Sequence, residues 1–301
     1  SFPTRRSSDL YCIFMIYRKN KLTIDHLDIS KIAKKYKTPV YCYSLRKIKE
    51  NIQNIKTHFK NINPLICYAV KANPNLGILR EIKKNNLGAD VVSVGELMKA
   101  LKAGISPKKI VFSGVGKTFE EIEYAINKNI LLINAESKSE ILQIEKIAKK
   151  KKKIVDIGVR LNPNTDAKTL SQISTGKKDN KFGVNDKTFF ELVRYCKNSK
   201  NINLKCLSVH IGSQILDHKP YEKMLRILDK IIKKTQYKFD FINFNRVFFF
   251  FKRFNCCCTF YCNINNHYST FTKDDAGFFS CNLFVFVFIN FINIALYSKT
   301  F

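Results

Sequence analysis

The feature that most constrains this chain is a regular alternation of short apolar runs and amphipathic segments between residues 28 and 244. The apolar runs have the length of strands, and the segments between them repeat apolar residues every three or four positions, which is typical of helices. Strands separated by helices of this length pair in parallel. The predicted strands are 40–43, 65–70, 89–93, 110–113, 130–134, 154–161, 204–210 and 239–244, and the predicted helices are 29–36, 45–59, 75–85, 95–103, 118–127, 136–150, 186–197 and 219–234.

The last seven of these strands, from residue 65 onward, carry no glycine-rich dinucleotide fingerprint. That favours a barrel over an open doubly wound sheet. The sequence therefore predicts an α/β fold, a TIM-like (β/α)8 barrel that is incomplete at its C-terminal end and is followed by an aberrant tail. Because seven strands of eight do not close a barrel, we expect an exposed, apolar strand edge.

Polar residues follow several of the predicted strands, and in a barrel the carboxyl ends of all strands meet at one mouth. The stretch YAVKAN, residues 68–73, shows this most clearly, since Lys71 follows a buried strand directly. From its position alone, Lys71 is most simply a solvated lysine at a strand end. The polar residues in comparable positions are Asp90, Ser93, Ser113, Asn134, Arg160 and His210.

The charge and apolar content exclude two classes of partner. The formal net charge is +29, which suits nucleic acid or an anionic membrane. However, the lysines are spread over amphipathic helices such as 141–153 and form no basic stripe interleaved with aromatic residues. The apolar run 284–296 contains Asn290 and Asn293 and is too short to span a bilayer. We therefore expect neither a nucleic-acid partner nor a membrane.

The cysteines indicate a reducing compartment and no metal site. Five of the ten are scattered without a pairing framework, at Cys12, Cys42, Cys67, Cys196 and Cys206. Buried, isolated thiols of this kind are typical of cytoplasmic proteins. The others crowd into residues 256–262 and position 281, where three adjacent cysteines cannot all face one tetrahedral ion.

The two ends of the chain differ from the middle. Residues 1–14 include SFPTRRSSDL, which we interpret as a translated adapter sequence or a disordered leader, with Met15 as a possible native start. Residues 245–301 are rich in Phe and Cys and show no clean period. Since Lys and Phe codons are complementary in AT-rich DNA, we hypothesise that the native reading frame is lost near residue 245. The alternative is a Cys-rich interaction domain. The barrel then occupies residues 15–244.

Seven motifs carry a resemblance to a known family. Together they resemble the N-terminal barrel of the diaminopimelate decarboxylases, within the alanine-racemase-like, fold type III group of pyridoxal-phosphate enzymes. The similarity covers roughly residues 28–244. In chain order the motifs are YAVKAN (68–73), GADVVSVGE (88–96), FSGVGK (112–117), RLNPNTDAKT (160–169), ISTG (173–176), KFGV (181–184) and HIGSQ (210–214).

The resemblance implies two catalytic residues. It implies that Lys71 forms the Schiff base with pyridoxal 5'-phosphate, for which a partly desolvated amine is needed. It also implies that His210 stacks on the cofactor ring, although a strand-end histidine with satisfied hydrogen bonds is an equally simple interpretation of that residue alone.

The resemblance implies four further cofactor-binding residues. Gly212 and Ser213 approach the phosphate, because glycine permits a close backbone and serine donates a hydrogen bond. Asp90 and Arg160 line the mouth near the cofactor. Arg160 is either held by a carboxylate or reaches the cofactor side, and a plain strand-end ion pair is the alternative for both residues.

The sequence also departs from the family pattern. Asn245-Arg246-Val247 stands where the family has three glycines, and Leu170-Ser171-Gln172 stands in place of His-Pro-Tyr. The family's Glu-Pro-Gly-Arg segment and its second domain, which completes the site in a homodimer, do not occur in these residues. We therefore expect a truncated or frame-damaged chain that is inactive as written.

Two functions follow from the resemblance as expectations. The family activity is the decarboxylation of meso-diaminopimelate to L-lysine, so the partner is a small amino-acid substrate. The alternative is a single-barrel protein that carries pyridoxal phosphate for homeostasis without catalysing decarboxylation. The ISTG, KFGV and HIGSQ motifs favour the decarboxylase.

Overall fold

The structure is a computed structural model that describes residues 15–18, 20–58, 65–165, 182–212 and 219–244, and, of the C-terminal part, 248–251, 254–262, 283–289 and 292–297. The predicted leader, residues 1–14, lies outside the described residues. The chain divides into two units, residues 1–58 and residues 59–301.

The first unit contains a small antiparallel sheet and two helices. The sheet consists of β1 (Met15–Arg18), β2 (Lys21–Ile24) and β3 (Leu27–Asp28), which the sequence analysis did not predict. The helices α1 (Ile29–Tyr36) and α2 (Leu45–His58) confirm the prediction. Asp28 starts α1, because its side chain accepts a hydrogen bond from the Ser30 N–H at 2.8 Å.

The predicted strand 40–43 is wrong. Residues 40–44 contain neither strand nor helix, and Tyr41 is 87% exposed. Aromatic and β-branched residues favour strands only where a neighbouring strand accepts their backbone hydrogen bonds and their side chains pack. No such ladder is formed by the described residues at 40–44, so the apolar pattern alone was misleading.

The second unit contains a curled sheet of seven parallel strands, each hydrogen-bonded to the next in chain order. This confirms the predicted α/β fold of TIM-barrel type. All predicted strand and helix ends from residue 65 to 244 agree within two residues. The strands are β4 (Leu65–Ala69), β5 (Gly88–Val91), β6 (Ile110–Phe112), β7 (Leu132–Ala135), β8 (Val155–Leu161), β9 (Ile202–Val209) and β10 (Phe241–Phe244).

The helices of this unit alternate with the strands and bury one face each. α6, for example, buries Ile141, Ile144 and Ile147 and exposes its lysines. Short polar residues begin the helices by capping free backbone N–H groups, as in the capping box of Thr118 and Glu121. The helices are α3 (Leu76–Lys84), α4 (Val94–Lys102), α5 (Phe119–Asn127), α6 (Lys138–Lys150), α7 (Asp186–Asn198) and α8 (Lys219–Thr235).

The C-terminal residues add four antiparallel strands, β11 (Phe248–Phe251), β12 (Phe254–Cys262), β13 (Leu283–Ile289) and β14 (Ile292–Tyr297). β14 pairs antiparallel with β4, from Tyr297 opposite Leu65 to Asn293 opposite Ala69. The expected exposed edge is therefore not present at β4, because its backbone groups are hydrogen-bonded to β14. That residues 245–301 are aberrant remains a prediction.

Membrane-spanning helices and metal-binding groups of side chains are absent from the described residues. None of their helices is long and apolar enough to cross a membrane. They also contain no group of His, Cys, Asp or Glu side chains that is arranged to hold a metal ion. Cys67, Cys196 and Cys206 are buried and form no disulfide bond among the described residues, as predicted for scattered thiols.

Gly88 tests how tightly β5 packs between its neighbours. A Cβ at Gly88 would lie 2.2 Å from the Lys109 carbonyl oxygen and 2.6 Å from Cys67 Sγ. Because the carbonyl belongs to the backbone and cannot swing away, we expect Gly88→Ala to lower the free energy of unfolding by about 2 kcal/mol. The measurement is urea unfolding followed by circular dichroism.

The matched control is Gly95→Ala in the first turn of α4, where the nearest atom to a Cβ is Ser93 Oγ at 3.9 Å. Alanine favours a helix over glycine by about 1 kcal/mol, so this variant should be as stable as the parent or more stable. Equal stability of the two variants would contradict the packing described for Gly88.

Candidate active site

Lys71 lies directly beyond the carboxyl end of β4, in a short 3-10 turn formed by Val70–Ala72. Local hydrogen bonds fix the turn: Tyr68 OH donates to the Asn73 carbonyl at 3.0 Å, and Asn73 Oδ1 accepts from the Asn75 N–H at 3.0 Å. Lys71 itself is exposed. The partial desolvation expected for its amine is therefore not supplied by the described residues.

Glu96 lies within electrostatic reach of both Lys71 and Asp90. Asp90, in β5, is buried, and Glu96, in the first turn of α4, accepts a hydrogen bond from the Val92 N–H at 2.9 Å. Burial raises the pKa of Glu96; the Val92 N–H lowers this pKa, the charge of Asp90 raises it, and the charge of Lys71 lowers it. Glu96 thus couples electrostatically to the predicted cofactor lysine and to Asp90 at this edge of the sheet.

Arg160 lies near the carboxyl end of β8 and is held by a carboxylate that the sequence analysis did not identify. Its Nη1 donates to Glu136 Oε1 at 2.8 Å, and both side chains are at least nine-tenths buried. Its Nη2 is buried and has no hydrogen-bond partner among the described residues. Both uses proposed for Arg160 are therefore compatible: one edge is held by Glu136 and the other is available to a ligand.

The KFGV motif contacts the same arginine. The Phe182 ring lies 5.1 Å from the guanidinium carbon of Arg160, and the Gly183 N–H donates to Glu136 Oε2 at 3.1 Å. Val184 pairs with β8, since its N–H donates to the Arg160 carbonyl at 2.8 Å. Gly183 has φ +74°, and a Cβ there would lie 2.9 Å from that carbonyl oxygen, which explains the glycine. Lys181 lies outside the described residues.

Two polar side chains on the strands after β8 lie in register with Arg160 and form a row with it. Arg160 is in register with Ser208 of β9, and Ser208 is in register with Asn243 of β10. The hydroxyl of Ser208 and both amide atoms of Asn243 are buried without hydrogen-bond partners among the described residues. Buried polar atoms are normally paired, so this row indicates a place where a polar ligand or ordered water binds.

The layer below this row is filled. A Cβ on Gly158 would lie 2.1 Å from Asn134 Oδ1, and Asn134 Nδ2 donates to Ser113 Oγ at 3.0 Å. Glycine at 158 therefore makes room for the Asn134 side chain inside the sheet. The polar row of Arg160, Ser208 and Asn243 lies above this layer, toward the carboxyl ends of the strands.

His210 and Gly212 follow β9. His210 is half-buried, and Ile211 and Gly212 are buried. Gly212 has φ +154°, a conformation that residues with a Cβ rarely adopt. Ser213 lies outside the described residues, so its predicted role at the phosphate stays a prediction. The other predicted residues, Lys71, Asp90, Arg160 and His210, lie at or just beyond the carboxyl ends of β4, β5, β8 and β9.

Comparison with known proteins identifies the family. The family model described as "Pyridoxal-dependent decarboxylase, pyridoxal binding domain" matches residues 45–243. The chain belongs to the pyridoxal-dependent decarboxylase family. Diaminopimelate decarboxylase from Helicobacter pylori J99 is 49% identical over 66% of this chain and 49% of that protein. Diaminopimelate decarboxylase from Campylobacter jejuni is 42% identical over 70% of this chain and 52% of that protein.

Solved structures show the same fold. The structure of Helicobacter pylori diaminopimelate decarboxylase complexed with L-lysine matches with a TM-score of 0.67 and 46% identity, over 69% of this chain and 52% of that chain. That of diaminopimelate decarboxylase from M. jannaschii in co-complex with L-lysine matches with a TM-score of 0.68 and 33% identity, over 76% of this chain and 55% of that chain. The chain spans about half the length of the curated relatives it matches.

The family's cofactor suits the groups that this barrel presents. Pyridoxal phosphate carries a phosphate, a phenolic oxygen and a ring nitrogen, and it needs a lysine amine. The described residues provide an amine at Lys71, a buried guanidinium edge at Arg160, and hydroxyl and amide groups without partners at Ser208 and Asn243. These residues fit the group, which agrees with the predicted cofactor.

Four residues of the candidate site were not predicted from the sequence. Glu136 directly follows β7, so its position at a strand end was an available signal. Ser208 and Asn243 each lie one residue before the end of their strand, β9 or β10. Because side chains alternate between the two faces of a strand, this position can point into the sheet interior. Glu96 belongs to the GADVVSVGE motif but was interpreted only as part of a helix.

The raised pKa of Glu96 predicts a pH-dependent stability. A carboxyl group whose pKa is higher in the folded chain than in the unfolded chain stabilises the fold at low pH, and this contribution is lost as the pH rises through the raised value. In Glu96→Gln the neutral amide keeps an acceptor for the Val92 N–H. The variant should therefore gain stability relative to the parent as the pH rises above the ordinary glutamate pKa of about 4.3.

The measurement is urea unfolding of both chains at a series of pH values. Glu120→Gln is the control, because the Glu120 backbone N–H lowers the pKa of that exposed carboxyl group. The control should show no gain over the parent as the pH rises. A Glu96→Gln difference that is independent of pH would contradict the electrostatic description of Lys71, Asp90 and Glu96.

Proposed function

We propose that this chain is the cofactor-binding barrel of a diaminopimelate decarboxylase, whose activity is the decarboxylation of meso-diaminopimelate to L-lysine. The observation that carries the proposal is the set of strand-end groups Lys71, Asp90, Arg160 and His210 beside the buried polar row of Ser208 and Asn243. The relatives named above support the substrate, since they are diaminopimelate decarboxylases and two of their structures contain the product L-lysine.

Lys71 is the residue at which the cofactor attaches. Lys71 supplies the amine to which pyridoxal phosphate attaches, and its exposed position leaves this amine accessible to the substrate. Glu96 lies within electrostatic reach of that amine. When bound, the cofactor supplies a conjugated ring that takes up the electron pair left by the departing carboxylate.

Other groups of the chain fix orientation. Arg160 donates from Nη2 toward the cofactor side while Glu136 holds Nη1. The half-buried imidazole of His210 offers a flat face for the ring. Gly212 lets the backbone approach the phosphate, and Ser213 donates a hydrogen bond to it.

The 301 residues by themselves hold the cofactor but do not complete the reaction. They contain no Glu-Pro-Gly-Arg segment, and Asn245-Arg246-Val247 stands where the family has three glycines. The carboxylate that holds the ring nitrogen protonated is therefore not supplied by that segment. In the complete enzyme we expect a homodimer. The buried cysteines Cys67, Cys196 and Cys206, which form no disulfide bond among the described residues, support a reducing, cytoplasmic location.

Cofactor attachment is the first test. The purified chain is incubated with pyridoxal phosphate, reduced with borohydride and digested, and the labelled peptide is identified by mass spectrometry. We expect one predominant label at Lys71, and loss of that label in Lys71→Arg, which keeps the charge but has no nucleophilic amine. Lys83→Arg, an exposed lysine of α3, should label like the parent. Labelling spread evenly over the lysines would overturn the proposed function.

Turnover is the second test. The chain loaded with cofactor is supplied with meso-diaminopimelate, and CO2 and L-lysine are quantified. We expect the visible absorbance of the bound cofactor to change on addition of the amino acid, with no CO2 above the level of free cofactor. CO2 release would show that the site is complete without the absent segments. Unchanged absorbance together with specific labelling at Lys71 would favour the carrier protein instead.

A further inference from the structure

A buried lysine that the proposed function does not use lies beside the site. Lys117 follows β6, its side chain is 1% exposed, and its Nζ forms an ion pair with Glu140 Oε1 at 2.6 Å. The same Nζ donates to the Asn134 carbonyl at 2.8 Å and to the Gly114 carbonyl. All three ammonium protons are therefore used inside the protein, which fixes the charge and the direction of this side chain.

The partner of Lys117 holds the next segment of backbone. Glu140 Oε2 accepts a hydrogen bond from the Glu136 N–H at 2.9 Å. The ion pair is therefore hydrogen-bonded to the backbone on both sides of Ala135. Lys117 binds the Asn134 carbonyl, and Glu140 binds the Glu136 N–H. A backbone segment held at two points across one residue has little freedom to rotate, so the direction of the Glu136 side chain is set by this pair.

Glu136 then passes this constraint to the site. One of its oxygens accepts from Arg160 Nη1 at 2.8 Å and the other from the Gly183 N–H at 3.1 Å, so both oxygens are fixed. Arg160 is left with the buried Nη2 that has no partner among the described residues. The path runs from the cation Lys117 through the carboxylates Glu140 and Glu136 to the cation Arg160, so two positive and two negative charges balance within the buried region.

Stability is a weak reason for such a pair. Replacing a buried ion pair by apolar side chains of similar volume is often neutral or stabilising, whereas removing one partner leaves an uncompensated buried charge. A role in positioning accounts better for this ion pair, because it is hydrogen-bonded to the backbone on both sides of Ala135, directly before Glu136.

We propose that Lys117 and Glu140 are positioning residues that orient the guanidinium of Arg160 through Glu136, so that Nη2 faces the bound cofactor. The proposal deepens the proposed function and rests on it. It assigns a role to the FSGVGK motif, whose last residue is Lys117, and joins it to the KFGV motif through Glu136 and Gly183.

The test is a double-mutant cycle that removes the pair without leaving a buried charge. The variants are Lys117→Met/Glu140→Met, Arg160→Met, and the triple combination, and the probe is pyridoxal phosphate in equilibrium dialysis with the full chain. We expect the dissociation constant to rise about tenfold in Lys117→Met/Glu140→Met. The melting temperature should fall as well, because the Asn134 carbonyl and the Glu136 N–H lose their partners. In the Arg160→Met background, the same pair of substitutions should leave the dissociation constant unchanged.

Lys153→Met is the matched control. Lys153 Nζ donates to the Ile126 carbonyl at 3.0 Å and to Asn129 Oδ1 at 2.7 Å, so it also ties two βα units together, but just before β8 begins, at the amino end of the strand. This variant should lose melting temperature and keep the parental dissociation constant. An equal loss of affinity in Lys153→Met and in Lys117→Met/Glu140→Met would show a general structural effect and overturn the proposal, as would an equal loss in the two Arg160 backgrounds.

A second readout needs no cofactor. The Nε–H resonance of Arg160, assigned in the ligand-free chain by its loss in Arg160→Lys, should exchange faster with water in Lys117→Met/Glu140→Met than in the parent. Unchanged exchange would overturn the positioning role. If the parent chain fails to bind pyridoxal phosphate, the proposed function falls, and this resonance alone decides whether the pair orients Arg160.

Discussion

The ion pair between Arg160 and Glu136 is the interaction on which the site depends. A guanidinium inside a sheet lumen is tolerated only if a carboxylate compensates its charge and hydrogen bonds satisfy its protons. Glu136 provides that compensation from the end of the neighbouring strand β7, and Phe182 covers the guanidinium face. Nη1 is bound to Glu136, whereas Nη2 has no partner among the described residues, so Nη2 gives the site a defined direction for a ligand.

Parallel pairing explains why these groups meet. Each strand from β4 to β10 is hydrogen-bonded to the next, so residues at the same register position on successive strands form a row. Arg160, Ser208 and Asn243 form such a row, and Gly158 lies two residues earlier on β8, where Asn134 fills the lumen. The row of polar side chains above a filled layer is where a barrel places its chemistry.

The long connection after β8 returns to the same place. Its last residues, Phe182 to Val184, bind to Arg160 and Glu136 by a ring contact, a backbone hydrogen bond and a short parallel bridge. Three residues of the KFGV motif, Phe182 to Val184, are thus explained by their contacts with Arg160 and Glu136. Gly183 is needed because its φ is positive and a carbonyl oxygen lies close to it. A motif that identified the family in the sequence therefore acts in the structure as a support for the site.

The sequence by itself determined the βα order, the parallel sheet and the strand-end positions of Lys71, Asp90, Arg160 and His210, because hydrophobic period and helix-capping residues are local properties. It failed at 40–43, where an apolar run lacks a partner strand, and it did not predict β1–β3 or the pairing of β14 with β4. Only the tertiary structure decided that Glu136 holds Arg160, that Lys117 and Glu140 hold Glu136, and that Lys71 is exposed. Those contacts join residues between four and twenty-four positions apart, and which carboxylate reaches which cation depends on strand register and burial, which no local pattern encodes.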